Sequence, residues 1–453
     1  MSFCVRYSFF ALLLVTATVS LSGAEMLTYR DAVKNTLNNS ARIRVKIEEI
    51  NISDAVYRQS FAGLYPEITA NSRFEKYENL DKRDDQAIKT VSSEVIGGEA
   101  NAWRSSIYLW GQYYISHWYK KRFEAAYYEK LKDASYFECD IEVKKLLREL
   151  TDAYGAAAEG KIKISYAAET LKLLQDILKL KKNAFAGGQA AYEDVLKVEA
   201  EIADTERQIS SLKKEFYENL ERLRSYMGMD CSDDVEFELL VSDGKMQITA
   251  FPKIAEDTPE YKARMIELEA INLKEKAAAN NYLPDISVYG RYDYYGSNPD
   301  SLYSSLQDIR ETAYSAGILI TLPVFDGGVR KWERKKSDFE LRRQKESVIA
   351  VMEEKGRDIK TLYAGYSELS KSLEHYRKLH DRYSKILDIT KKANIFGERS
   401  LMDIMEMEKE ALAVSRDMKT AEHAIAVYEK RLALETDYKH FISEYYGDWT
   451  YKY

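Results

Sequence analysis

The chain has 453 residues, of which 31% are charged and 45% hydrophobic, and a net charge of −7. So mild an acidic balance gives no electrostatic footprint for nucleic acid. Six prolines and twenty glycines are few for this length, which favours long helices over a loop-rich fold.

Residues 1–24 read as a leader. Arg6 supplies positive charge, FFALLLVTATVSL is an apolar run, and Ser22-Gly23-Ala24 is a small-residue cleavage site. Cleavage after Ala24 would start the mature chain at Glu25 and send it out of the cytoplasm. Cys4 precedes the apolar run and no cysteine lies near the cleavage site, so no lipid anchor is expected there. Past the leader there is no run of about 18 or more apolar residues, which excludes a helical membrane protein. A closed β-barrel is then the only way to span a bilayer. Cys139, Cys231 and five histidines show no disulfide framework and no metal spacing, and no cofactor is expected.

The first strand is expected in LYPEITANSRFEKYE (Leu64–Glu78). Ile68, Ala70, Ser72 and Phe74 alternate with Glu67, Thr69, Asn71, Arg73 and Glu75, so one face is apolar and one wet. Its partner, SIYLWGQYYI (Ser106–Ile115), is apolar on both sides, and its facing stays open. The strand pair occupies about 67–116, with a loop over about 79–103. From about Tyr119 no proline interrupts the pattern until a glycine turn at Gly187-Gly188-Gln189. Leu147, Leu150, Tyr154, Ala157, Lys161, Ile164, Ala168, Leu171, Gln175 and Leu178 form a seam in steps of three and four. Val195, Val198, Ile202, Ile209 and Phe216 form a return seam. Such heptads mark antiparallel coiled coils, here a helical hairpin over about 119–226.

A linker over 228–259 leads to a second version of the same order. YLPDISVYGRYDYYG (Tyr282–Gly296) alternates Ile286, Val288, Gly290, Tyr292 and Tyr294 with Asp285, Ser287, Tyr289, Arg291 and Asp293. TAYSAGILITL (Thr312–Leu322) is its partner, which gives a strand pair over about 285–322. A helical hairpin follows over about 329–440, with seams Ile359, Leu362, Tyr366, Leu373, Tyr376, His380 and Ile404, Val414, Ala421, Ile425, Leu432. Its turn is Phe396-Gly397-Glu398.

Ile68 and Ile286 align at an offset of 218 (286 less 68), and Gly188 and Gly397 at 209 (397 less 188). The shorter loop after the second strand accounts for the drop. The chain is therefore expected to be a duplication, residues 25–227 and 260–453, the latter ending in a C-terminal tail. Four strands cannot close a barrel with a wet interior, so several chains would share one. The alternative is a small soluble sheet packed on helices. Aromatic residues crowd the strands, among them Tyr108, Trp110, Tyr113, Tyr114, Tyr289, Tyr292 and Tyr294, as girdles do at membrane interfaces.

These pieces together resemble the TolC-like family of outer-membrane efflux proteins. LTYRDAVKNTLNNSARIRVKIEEI is similar to the family's opening helix and YLPDISVYGRYDY to its strand start. LITLPVFDGGVR is similar to its strand-to-helix corner. GGQAAYEDVLKVEAE and FGERSLMDIMEMEKE are similar to its hairpin tips. The resemblance implies a fold that is mainly α with membrane β. Long coiled-coil helices would form an α-barrel, and four strands per chain would enter a trimeric, twelve-stranded β-barrel. It implies an outer-membrane location with a periplasmic portion, a homotrimer, outer-membrane lipid around the barrel, a periplasmic adaptor (membrane fusion) protein, and an inner-membrane pump of RND or ABC type. The chain departs from the family at the first corner, GQYYISHWYKK, which lacks the Pro323 and Gly327-Gly328 of its counterpart. It also lacks Val-Gly-Leu at both tips.

No nucleophile, phosphate loop or metal cluster appears, and a duct needs none, so no enzyme activity is expected. Asp403 and Glu406 are three apart on one helix face after the second turn. The resemblance places acids here at a periplasmic constriction, where three copies would make rings of like charge. Arg399 is positioned to pair with an acid such as Asp194, or Glu193, and hold the tips shut. A charged tip facing water is the plain alternative. Gly187, Gly188, Gln189, Phe396, Gly397 and Glu398 would meet the adaptor. Arg73, Glu75, Arg291 and Asp293 would line the barrel lumen. The expected function is a passive export duct for a tripartite efflux pump or type I secretion system; the rivals are a periplasmic coiled-coil adaptor and an envelope scaffold.

Overall fold

A computed structural model of the chain describes residues 26–78, 101–233, 235–242, 244 and 251–447. The expected leader with Ala24, most of the 79–103 loop and part of the 228–259 linker lie outside these residues. The elements run β1 (Met26–Leu27), α1 (Tyr29–Asn39), α2 (Ala41–Ala62), β2 (Glu67–Glu78), β3 (Asn101–Tyr114), α3 (His117–Ala186) and α4 (Tyr192–Met227). They continue with β4 (Glu236–Phe237), α5 (Phe251–Asp257), α6 (Pro259–Asn280), β5 (Asp285–Asn298), α7 (Leu302–Gln307), β6 (Glu311–Thr321), α8 (Val329–Ile395), α9 (Leu401–Thr436) and α10 (Tyr438–Tyr446).

The second set repeats the first in length as well as order. Helices α2 and α6 each have 22 residues, α3 and α8 have 70 and 67, and α4 and α9 have 36 each. β3 begins at Asn101, inside the expected loop, and α9 stops at Thr436 where the sequence pattern had continued to about 440. Asp437 makes that break: its carboxylate accepts from the His440 N–H and caps α10.

Two compact units form, each drawing on both halves of the chain. The first takes the described residues of 1–39, 149–243 and 371–427. Its core follows the expected seams: Leu150, Tyr154 and Ala157 of α3 are fully buried, and Val195, Val198 and Phe216 of α4 nearly so. The Tyr154 hydroxyl donates to the carbonyls of Leu27 and Glu238, both at 2.9 Å. It thereby fastens the parallel β1–β4 pair to α3, with Phe237 edge-on to the Tyr154 ring. Burial pushes this phenol well above its usual range, with Glu238 adding to the rise. The sequence pattern missed His423, which is buried on α9 and donates from Nε2 to the Gly155 carbonyl at 3.0 Å.

The second unit takes the described residues of 40–148, 244–370 and 428–453. Four strands form one antiparallel sheet in the order β2-β3-β5-β6. The two hairpins meet at the β3–β5 pair, in which Tyr108 faces Asp293 and Trp110 faces Arg291. In the same unit, Lys144 of α3 is buried between Glu435 of α9 at 2.6 Å and Glu260 of α6 at 3.2 Å. Lys355 of α8 reaches the same Glu260 at 3.2 Å. For Glu260, burial alone would raise the carboxyl, but the charges of Lys144 and Lys355 outweigh it and hold the group below its usual range.

Candidate functional site

The helix tips are built alike in both halves. At the end of α3 the Gln189 N–H donates to Ala184 O and the Gly188 N–H to Phe185 O; at the end of α8 the Glu398 N–H donates to Ala393 O and the Gly397 N–H to Asn394 O. Both are Schellman closures. Gly188 and Gly397 sit at φ 73° and 77°, where a Cβ is strained. The positions aligned in the sequence at an offset of 209 are thus conformational equivalents. Phe396 is 81% exposed, and Gly187, Gly188, Gln189, Gly397 and Glu398 are also exposed.

Past the second tip, Ser400 and Asp403 cap α9 reciprocally. The Ser400 N–H donates to the Asp403 carboxylate at 2.9 Å, and the Asp403 N–H to Ser400 Oγ at 3.1 Å. This is a capping box with Asp in place of Glu. The Ser400 backbone N–H, then its hydroxyl, then the Arg399 charge hold the Asp403 carboxyl below its usual range. Met402 and Met405 pack against Leu174, Ile177 and Val198 of the α3–α4 hairpin. Asp403 and Glu406 lie one residue further on, about 100° around the helix, with Glu406 exposed.

The expected Arg399–Asp194 contact is not made within the chain. Among the described residues no ion pair joins them; Arg399 is exposed and its carbonyl accepts from Asn394. Glu193 pairs instead with Lys197 at 2.7 Å, one turn along α4. What ties the hairpins at this level is Lys409 to Glu201 at 2.8 Å.

The sheet sorts its side chains by face, because residues opposite one another in a ladder share a face. Arg73, Glu75, Arg291 and Asp293 fall together, with Thr69, Gln112 and Ser287. Arg73 pairs with Glu75 at 2.9 Å and Arg291 with Asp293 at 2.7 Å. Ile68, Phe74, Ile107, Leu109, Tyr314, Ile318 and Ile320 share the other face and are 50–86% exposed. The facing of β3 is settled: Ile107 and Leu109 join the apolar face, Tyr108 and Trp110 the polar one. The girdle expectation therefore needs correcting for Tyr108, Trp110 and Tyr289. Their rings lie on the polar face because Arg291 stacks over Tyr108 at 4.0 Å and Trp110 stacks on Tyr289 at 5.2 Å. Gln112, the one amide in that run, carried the signal, since it has the parity of Trp110 and Tyr108.

No helix among the described residues is long and apolar enough to cross a membrane, and no cluster there could hold a metal ion.

Residues 252–435 match the family described as outer membrane efflux protein. Nodulation protein T of Rhizobium leguminosarum bv. trifolii is 22% identical over 314 residues, 64% of this chain and 62% of that protein. The match thus spans less than two thirds of that relative. Among solved structures, CusC superposes with a TM-score of 0.76 over 90% of this chain and 91% of its own, at 15% identity. The CmeC outer membrane channel of Campylobacter jejuni does so with 0.75 over 90% and 85%, also at 15% identity. Residues 252–435 thus resemble the outer membrane efflux protein family, and the chain shares the fold of CusC over nine-tenths of its length.

Proposed function

We propose that the chain is one subunit of a passive export duct in the outer membrane, extending into the periplasm, and that three copies close a twelve-stranded barrel. The observation that carries this reading is the sheet. A soluble sheet buries its apolar face, yet here Ile68, Tyr314, Ile318 and Ile320 are 65–86% exposed while the charged pairs lie on the other face. Lipid satisfies such a face and water the opposite one. Strands β2 and β6 are each left with an unpaired edge, and β6 of one copy pairing with β2 of the next would remove every edge. The repeats 25–227 and 260–453 then each contribute one strand hairpin and one helical hairpin, joined by 228–259. The exposed tips, Gly187 to Gln189 and Phe396 to Glu398, are the contact for a periplasmic adaptor protein. An inner-membrane pump of RND or ABC type supplies the energy, and the duct itself does no chemistry.

Asp403 and Glu406 form the periplasmic constriction as rings of acid, and Arg73, Glu75, Arg291 and Asp293 line the lumen. Because Arg399 and Asp194 are unpaired with each other inside one copy, the pairing that holds the tips shut belongs between copies.

Single-channel recording of detergent-extracted protein in a planar bilayer tests this reading. Asp403→Asn/Glu406→Gln removes the charge and keeps an oxygen for the α9 cap. Small cation-selective steps in wild type, with cation selectivity reduced in the double variant, are expected, and Arg399→Ala should enlarge the steps. Well-folded trimers that never conduct would end the duct reading. Unchanged selectivity would move the constriction elsewhere.

A further inference from the structure

The lumen face of the proposed barrel carries a group of rings that a plain aqueous duct does not require. Trp110 of β3 lies nearly parallel to Tyr289 of β5, with centroids 5.2 Å apart and planes 14° apart. The Tyr289 ring reaches on across β6 to Gly317, where an added Cβ would come within 2.8 Å of its hydroxyl. One rung away, Tyr108 lies under the Arg291 guanidinium at 4.0 Å, and Asp293 holds that guanidinium from the side. The rows are adjacent in register, Trp110 opposite Arg291 and Tyr108 opposite Asp293. The result is a shelf of ring contacts that runs across three strands, Trp110 stacked on Tyr289 and Tyr108 under Arg291, with the rings half-buried and that guanidinium already paired.

The charge around the shelf favours one sign. On this face the described strand residues supply acids at Glu67, Glu75, Asp285, Asp293 and Glu311, against Arg73, Arg104 and Arg291. Aromatic faces are themselves electron-rich and attract cations. Stacking of a flat ring on such a platform is worth about tenfold or more in affinity.

We propose that Trp110, Tyr289 and Tyr108 form a stacking site inside the barrel for flat aromatic cations, so that the duct slows and concentrates this class of cargo rather than passing all solutes alike. The inference rests on the duct reading above. Repeated in three copies, the shelf would make a ring of three such sites around the lumen.

The test is block of single-channel current by methylene blue, a flat aromatic cation, set against tetraethylammonium, a cation without rings, and fluorescein, a flat anion. In wild type, methylene blue should halve the current at a concentration about tenfold or more below either comparator. Trp110→Leu and Tyr289→Leu, made separately, should each raise the half-blocking concentration about tenfold, while Trp110→Phe stays within about threefold. Unblocked conductance and trimer migration report whether each variant folds, and either Leu variant suffices if the other does not insert. Equal block by tetraethylammonium, or block unchanged in a conducting Leu variant, overturns the stacking site and leaves the duct standing. A wild-type protein that never conducts overturns the duct, and the site with it.

Discussion

Replacing Lys144 by methionine removes the cation shared by buried Glu435 and partly buried Glu260 while keeping a long apolar stem. Lys144 is 2% exposed; it touches Glu435 at 2.6 Å and Glu260 at 3.2 Å. Deleting one member of a buried ion pair costs about 3–5 kcal/mol, since the partner's charge stays buried without compensation. Two neighbours soften the loss: Arg148 remains 3.8 Å from Glu435, though half exposed, and Lys355 still faces Glu260. The low end, about 3 kcal/mol, is therefore expected. Guanidinium unfolding of the detergent-solubilised protein, followed by far-ultraviolet circular dichroism at neutral pH, reads the loss as a lower midpoint at unchanged slope. Lys144→Met/Glu435→Met, which leaves no orphan at that site, should recover most of it. A single variant within about 0.5 kcal/mol of wild type, or a double variant no better than the single, would refute the reasoning. The acid side gives a second reading. Glu260, held below its unfolded value, contributes stability above that value that is lost as pH falls through the folded one. With Lys144 gone, the folded-state carboxyl moves back toward its unfolded value, so this acid-side loss should shrink.

Ser400→Ala should remove the reciprocal cap of α9 at a cost of about 1 kcal/mol, seen as faster hydrogen exchange over the first turn of α9. Tyr154→Phe should release two carbonyls at once, costing about 1–3 kcal/mol and raising exchange in β1 and β4 while the sheet of the other unit stays protected. His423 gives a pH dependence. Burial draws its imidazole below the usual value, outweighing the Gly155 carbonyl and Glu159, which pull it up. An imidazole depressed in the folded state costs stability as pH falls below the unfolded value, about 6.5. Wild type should therefore lose thermal stability from about pH 7.5 to about pH 5.5, and His423→Phe should flatten that part of the profile. Equal slopes in the two proteins would count against it.

The repeated order of elements was legible because it is written in backbone chemistry. A glycine that must adopt positive φ leaves a mark no substitution hides, so Gly188 and Gly397 aligned correctly. Strands β2 and β5 were legible from strict alternation, and β6 as the partner of β5. The facing of β3 was not, because Tyr108 and Trp110 look apolar in a sequence but are polar in position, once one lies under a guanidinium and the other against a tyrosine. Asp403 shows a different limit. The family resemblance placed it with Glu406 in a charge ring, yet the same carboxylate also closes the start of its own helix, and Ser400 three residues earlier was the available sign. His423, Glu429 and Glu435 escaped notice because a heptad search sees only apolar positions, and these are buried through specific partners.

The two open edges of the sheet have a genetic meaning. A strand edge cannot be repaired by its own chain, so in the proposed three-copy barrel one faulty copy leaves the whole ring with a gap. If a cell makes normal and edge-damaged subunits in equal amounts and they mix at random, only about one three-copy ring in eight is free of damage. A missense change in β6 that spares the helices should therefore be dominant, whereas a null allele should be recessive. Exposed Tyr314, Ile318 and Ile320 are where such alleles are expected to fall.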